Sequence, residues 1–373
     1  MRWVFWAAVA LIAYTYAGYP VWLWLRGRWR PRPVQRGTIQ PRVSVVMVVR
    51  NEERVLRSKL ENLLALDYPQ ELTDLVIVSD GSTDGTDGIL HEYAHNPRVQ
   101  TVLNQLSEGK ASGLNDALDW VQGDIVIFTD ARQKIETVAV RALLENFGDP
   151  EVGCVSGELM LGDPDAGEQS QGMGLYWRIE KRVRELESAS GSVVGATGAL
   201  YGVRRELLGR IPPETLLDDV YIPMQVVHQG KRVIFETQAR AWDRADQGAG
   251  REFARKVRTL SGNYQLLQLA PWLLGGGNPI RMEFVSHKLL RLVVPFALLA
   301  CLSSCVFLPG PFYRGVLALQ VVFYALSLVG MARMKTGLFS RLGDAAYTFV
   351  VLNLAALVAF ANFVTKRRVA WSR

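Results

Sequence analysis

Residues 3–25 contain no charged side chain. A helix of that length crosses the roughly 30 Å hydrocarbon layer of a bilayer. The run is too long for the apolar part of a secretory signal, is rich in Trp and Tyr, and lacks a small-x-small cleavage site. It therefore reads as a retained transmembrane helix, with Pro20 near its end. Three more uncharged runs follow near the other end, at residues 292–313, 315–332 and 345–365. Each is about the length of a span, and a helix buried in a soluble core would be shorter and carry a polar face.

Arginines set the expected orientation. Arg26, Arg28, Arg30, Arg32 and Arg36 follow the first apolar run, which places that segment, and the long middle region after it, in the cytoplasm. Arg333, Lys335 and Arg341 also suit the inside. The tail Lys366-Arg367-Arg368 does not, because three full C-terminal spans would leave it outside. Either the tail is an exception or one run is re-entrant or interfacial. The formal net charge of +6 reads as membrane-surface charge, since no nucleic-acid recognition module accompanies it. Cys154, Cys301 and Cys305 are too few for a disulfide framework. The four histidines show no metal-ligand spacing with other ligands.

After the Pro-bearing stretch 33–41, the middle region alternates strand and helix. Strands are expected at 43–49, 75–78, 99–103 and 125–129, with helices at 52–66, 86–94 and within 109–121. Repeated β-α units imply a parallel sheet covered by helices on both faces. Residues 125–129, the apolar run Ile-Val-Ile-Phe-Thr, end in Asp130, with Arg132 two places later. Open α/β sheets bind ligands at the carboxyl ends of their strands. No Gly-rich dinucleotide turn follows the first strand, and no P-loop is present. Instead Glu52, Asp80 and Asp130 follow strands one, two and four. Acceptor-only carboxylates there suit the hydroxyl and N–H groups of a nucleotide. For Asp80 the Asp-Gly-Ser-Thr-Asp-Gly run is equally good turn chemistry, and Asp130 can also simply cap a turn. Lys110, just before a helix, can reach a phosphate there.

Asn51-Glu52-Glu53, the run from Asp80 to Asp84, Gly109-Lys110-Ala111 with Leu114-Asn115, and Asp130 together resemble the nucleotide-sugar half of family 2 inverting glycosyltransferases. Gly195-Ala196-Thr197-Gly198-Ala199 with Arg204-Arg205 resembles the family's acceptor-side segment, and Leu217-Asp218-Asp219-Val220 its Glu-Asp motif. The resemblance covers roughly residues 42–262. The flanking helices fit the membrane-bound branch that includes hyaluronan and cellulose synthase-like proteins.

The resemblance implies an α/β GT-A fold, Rossmann-like in its nucleotide-sugar half. It implies that Asn51, Glu52 and Asp80 contact the nucleotide, that Asp130 lies at the diphosphate and its Mg²⁺ or Mn²⁺, and that Asp219 is the general base. Asp218, its neighbour, is expected to cap the following helix and lie on the acceptor side with Gly198. The family's Gln-x-x-Arg-Trp segment is here Arg255-Lys256-Val257-Arg258-Thr259. Arg258 is kept for the diphosphate, whereas the missing Trp speaks against processive chain growth. The family's Asp-x-Asp has become Asp130-Ala131-Arg132, so Asp130 holds the metal alone or Arg132 supplies the charge. Trp177, beside Tyr176, can stack on an acceptor sugar or pack in an interface.

The expected organisation is a transmembrane helix at 1–25, a basic linker at 26–41, a cytoplasmic glycosyltransferase domain at 42–250, an interfacial segment at 251–288, and a region of about three spans at 289–373. The expected partners are a nucleotide-sugar, most simply a UDP-sugar, a glycan or lipid-linked acceptor, and membrane lipids, with the protein in a bacterial inner membrane. A processive polysaccharide synthase, or a membrane scaffold or transport protein with an inactive nucleotide domain, are the alternatives.

Overall fold

A computed structural model describes residues 1–163, 168–169, 175–243, 249–331 and 338–367. Arg333, Lys335 and Arg368, used above for orientation, and the side chain of Arg341 lie outside the described residues.

The strands are β1 (Val43–Val49), β2 (Thr73–Asp80), β3 (Val99–Asn104), β4 (Ile125–Phe128), β5 (Lys134–Ile135), β6 (Val152–Asp163), β7 (Glu168–Gln169), β8 (Tyr201–Arg204) and β9 (Arg232–Asp243). They form one sheet in the order β3-β2-β1-β4-β8-β6-β9-β5, with β7 paired to β6. The first four in space are parallel, and β8 enters antiparallel to β4. β1 is buried along its whole length, as a strand covered on both faces should be. Val45, Met47 and Val49 join one core with Leu75 and Ile77, while Val46 and Val48 join the other with Val76 and Val78. The period-two alternation of side chains produces that split. Each such side chain contributes about 1.5–3 kcal/mol by burial.

Among the described residues, four helices are long and apolar enough to cross a membrane: Arg2–Trp29, Arg281–Phe307, Pro311–Met331 and Leu342–Val364. The first packs on the second through Phe5, Ala8, Ala297, Cys301 and Cys305. The last two approach closely at two glycines, where a Cβ on Gly330 would sit 2.2 Å from the Gly343 carbonyl oxygen. Small residues at such a crossing let the backbones meet.

Helix Ala249–Leu269 joins the two halves. A Cβ at Gly262 would meet Leu217 Cγ at 2.5 Å, and the Leu216 N–H donates to Gln265 Oε1 at 2.9 Å. Next to these contacts, Tyr264 stacks on Phe363 with ring centroids 5.0 Å apart. The end of the final helix therefore lies beside a helix that also rests on the sheet domain.

Candidate active site

The loops after β1 and β2 are knitted together. Asn51 adopts a left-handed backbone, φ 53°, and its Oδ1 accepts from the Thr83 N–H at 2.8 Å. The Glu52 N–H donates to Thr86 Oγ1 at 2.8 Å. On the other side, Glu52 Oε1 lies 3.7 Å from Arg132 Nε. Asn51, Glu52 and Arg132 thus share the edge at the carboxyl ends of β1 and β4.

Asp80 is fully buried. Its carboxylate accepts from Ser107 Oγ at 2.7 Å and from the Glu108 and Gly109 N–H groups at 2.8 and 3.1 Å. It is spent on the turn that delivers Lys110. Gly81, at φ +61°, lies against the same turn, and a Cβ there would be 2.5 Å from Ser107 N. Only glycine accommodates that approach.

Lys110 is the hub. Its Nζ lies 2.9 Å from Asp130 Oδ1 and 3.1 Å from Asp218 Oδ2. Burial opposes its charge, but Asp130, Asp218 and Asp219 outweigh it and hold the ammonium protonated well above the usual lysine range. The lysine bridges the end of β4 to the start of helix Asp218–His228. The capping role expected of Asp218 is replaced by this bridge. Leu217 occupies the cap position with no side-chain cap bond, and the Asp218 carboxylate turns to Lys110.

Asp219 is half-buried one residue on. Burial first, then the negative charge of Asp218, push its carboxyl up to about 6, against the pull of Lys110 and Lys288. The glycine-rich segment lies across it. The Ala196 N–H donates to the Asp219 carbonyl at 2.6 Å, and Gly195, at φ +93°, sits against Val220. A Cβ on Gly198 would lie 3.4 Å from Asp130 Oδ2 and 3.6 Å from Asp219 Oδ2. The two carboxylates therefore face each other across a position that carries no side chain.

Beneath the cluster are two residues that the sequence reading missed. Lys59 is buried, with Nζ donating to Thr129 Oγ1 at 2.9 Å and to the Gln133 carbonyl at 2.6 Å. Burial pushes it down to about 7, against the attraction of Asp130. Tyr201 stacks on Phe128 at 4.8 Å, and its buried hydroxyl has no hydrogen-bond partner among the described residues. Burial and then the charges of Asp218 and Asp219 raise that phenol further. Lys59 had a legible signal, because it interrupts the stripe Val55, Leu56, Leu60, Leu63 on an amphipathic helix. Tyr201 had none.

The family profile described as Glycosyl transferase family 2 matches residues 44–211. Residues 44–211 thus carry a family 2 glycosyltransferase domain. The poly-β-1,6-N-acetyl-D-glucosamine synthase of Staphylococcus epidermidis is 23% identical over 239 residues, covering 62% of this chain and 56% of that one. The enzyme of the same name from Staphylococcus aureus strain COL is 24% identical over 234 residues, covering 60% and 55%. The chain thus spans little more than half the length of these curated relatives. A mannosyltransferase from Pyrobaculum calidifontis, solved with GDP-Man and Mn²⁺, superposes with a TM-score of 0.76 at 22% identity. That likeness covers 98% of this chain and 100% of the other, and it speaks for the fold.

Asp130, Lys110 and Gly198, inside the matched region, come together with Asp218 and Asp219 just beyond it, and Asn51 and Glu52 border them. Arg258 does not join them. It lies on Ala249–Leu269, one turn before Gly262, and makes no hydrogen bond or ion pair among the described residues, with its Nε buried. Among the described residues no group of three or more His, Cys, Asp and Glu side chains is arranged to hold a metal. Asp130 offers one oxygen, Oδ2, on a side chain 40% exposed, while Oδ1 is held by Lys110. That suits a hard cation that takes one or two protein carboxylates and completes its shell from phosphates and water.

Proposed function

We propose that the protein is a membrane-anchored inverting glycosyltransferase. It transfers a sugar from a nucleotide-sugar, most simply a UDP-sugar, to a hydroxyl of a glycan or lipid-linked acceptor. The observation that carries this reading is the half-buried Asp219, raised to about 6 and set across Gly198 from Asp130. Asp219 takes the proton of the acceptor hydroxyl as its oxygen attacks the anomeric carbon. The bond from that carbon to the diphosphate breaks, and the nucleoside diphosphate leaves with the electron pair. A base is most effective when its pKa lies near working pH, and burial beside Asp218 provides that.

Asn51 and Glu52 hold the nucleotide, and Lys110 the phosphates. Asp80 acts through the turn it anchors. Arg258 stands apart from the cluster on the neighbouring helix, and its role at the diphosphate rests on the family resemblance alone. Asp130 would hold a Mg²⁺ or Mn²⁺, which would supply positive charge for the departing diphosphate. Gly198 leaves room for the reacting sugar, and Asp218 borders the acceptor. Mn²⁺ in the Pyrobaculum mannosyltransferase supports this assignment.

A processive synthase is the second reading, favoured by the polymer-making names of the curated relatives. Product length separates the two. The basic segment after the first helix supports a cytoplasmic catalytic domain in a bacterial inner membrane. The final helix, ending beside Ala249–Leu269, supports a re-entrant or interfacial path that keeps Lys366 and Arg367 on the catalytic side. Replacing the base tests the chemistry. Asp219→Asn should lower kcat about 10²–10⁴-fold with donor affinity kept; retained full turnover would sink the base assignment.

A further inference from the structure

Lys59 is a buried ammonium for which the proposed chemistry has no step. It is 3% exposed, on the apolar stripe of helix Glu53–Leu64. Its Nζ donates to two neutral oxygens, Thr129 Oγ1 at 2.9 Å and the Gln133 carbonyl at 2.6 Å. Taking an ammonium out of water for neutral acceptors is costly, so packing alone does not account for a lysine here.

Both acceptors belong to the loop that carries Asp130. Thr129 precedes that residue, and Gln133 lies three places beyond it. About one turn further along the same helix, Asn62 grips the next part of the chain. Its Nδ2 donates to the Ile135 carbonyl at 2.8 Å, and its Oδ1 accepts from the Ile135 N–H at 2.8 Å. One face of the helix therefore clasps residues 129–135.

Thr129 passes the contact on. Its hydroxyl accepts from Lys59 and has a single proton to give. That proton is best placed for the Ala199 carbonyl, at 2.8 Å, against 3.4 Å to the Asp130 carbonyl. Ala199 directly follows Gly198, the position across which Asp130 and Asp219 face each other. A continuous path from Lys59 through Thr129 to Ala199 thus ties the strand end that bears Asp130 to the glycine-rich segment.

We infer that Lys59 is a positioning residue: through Thr129 it sets the spacing between the Asp130 loop and Gly198, and so the gap in which the donor sugar meets Asp219. That consequence rests on the glycosyltransferase reading, whereas the clasp itself does not. Lys59 touches no reacting atom in this role. A misplacement of about 1 Å in such a gap lowers the rate about 10²-fold.

The test uses the purified full chain and four variants. Thr129→Val breaks the path at nearly constant volume, and Thr129→Ser keeps the hydroxyl. Lys59→Met removes the start of the path. Val152→Ala, at a buried valine beginning β6, reports a general loss of stability. Amide hydrogen exchange is followed in peptides covering 129–133 and 197–201. Thr129→Val and Lys59→Met should each speed exchange about tenfold or more in both segments, and Val152→Ala in neither. With the donor that the native protein uses, Thr129→Val should lower kcat about 10–100-fold while KM for the donor stays within about threefold. Thr129→Ser should recover most of the loss. Lys59→Met, which also frees Gln133, should add a rise in donor KM. Native exchange at 197–201 in Lys59→Met or Thr129→Val overturns the clasp. Native kcat in Thr129→Val, or an equal loss in Val152→Ala, overturns the positioning role. If Lys59→Met does not fold, the two Thr129 variants decide. A native chain that turns over none of a panel of nucleotide-sugars overturns the glycosyltransferase reading, and the exchange measurement still decides the clasp.

Discussion

At the scale of single residues, the base role proposed for Asp219 would serve reactivity at the expense of stability. Its carboxyl is raised to about 6 in the fold, against about 3.9 in an unfolded chain. The folded protein therefore holds the extra proton between these values, and Asp219's contribution to stability is lost as pH rises from about 4 through about 6. Two outcomes follow. As a base Asp219 must be ionised, so kcat/KM should fall about tenfold per pH unit below about 6. At pH 7.5 Asp219→Asn should melt no lower than the native protein, which a thermal shift reads directly. Lys59→Met should behave differently. It removes the donor to Thr129 Oγ1 and the Gln133 carbonyl, leaving buried acceptors unpaired at a cost of about 1–3 kcal/mol each. A lowered melting temperature and a higher KM for the donor are expected. Asp130 and Lys110 stand out in sequence as charged residues at a strand end and a helix start, whereas Asp219 is singled out only by the family resemblance. The bridge between them was not, because Asp218 reads as a cap until Lys110 is placed opposite it in space.

At the scale of elements, the four parallel strands and their helices were legible from apolar runs and helical spacing. β2 extends from Thr73 to Asp80, beyond the expected 75–78, because pairing with β1 continues to Ser79 and pairing with β3 to Asp80. Sheet pairing, not local composition, sets those ends. The antiparallel entry of β8 beside β4 was invisible, since neither strand carries a signal for its partner. The long apolar helices make a sharper prediction. Gly330 meets the Gly343 backbone, so Gly330→Leu should separate the last two helices. Detergent-purified variant should elute earlier and lose several degrees of thermal stability, while Gly315→Leu, at a glycine with nothing near its Cβ position, should not.

At the scale of the whole molecule, two halves are bound through buried charge as well as apolar contact. Tyr19, Glu187, His287, Glu180 and Arg291 tie the first two long apolar helices to Leu175–Ser190, the helix that flanks the glycine-rich segment. Uncharged length made the long apolar helices legible, but this network was not, since its members are scattered along the chain. Metal dependence also belongs here. With a single carboxylate offered by Asp130, activity should vanish in EDTA and return with Mn²⁺ or Mg²⁺; activity surviving complete chelation would assign that charge to Arg132. The most direct measurement is transfer of labelled sugar from a panel of nucleotide-sugars by the purified full chain with Mn²⁺ and membrane extract. The account predicts that one donor releases its nucleoside diphosphate and passes its sugar, with inverted anomeric configuration, to a hydroxyl acceptor. Tight binding of a nucleotide-sugar with neither transfer nor hydrolysis would contradict it.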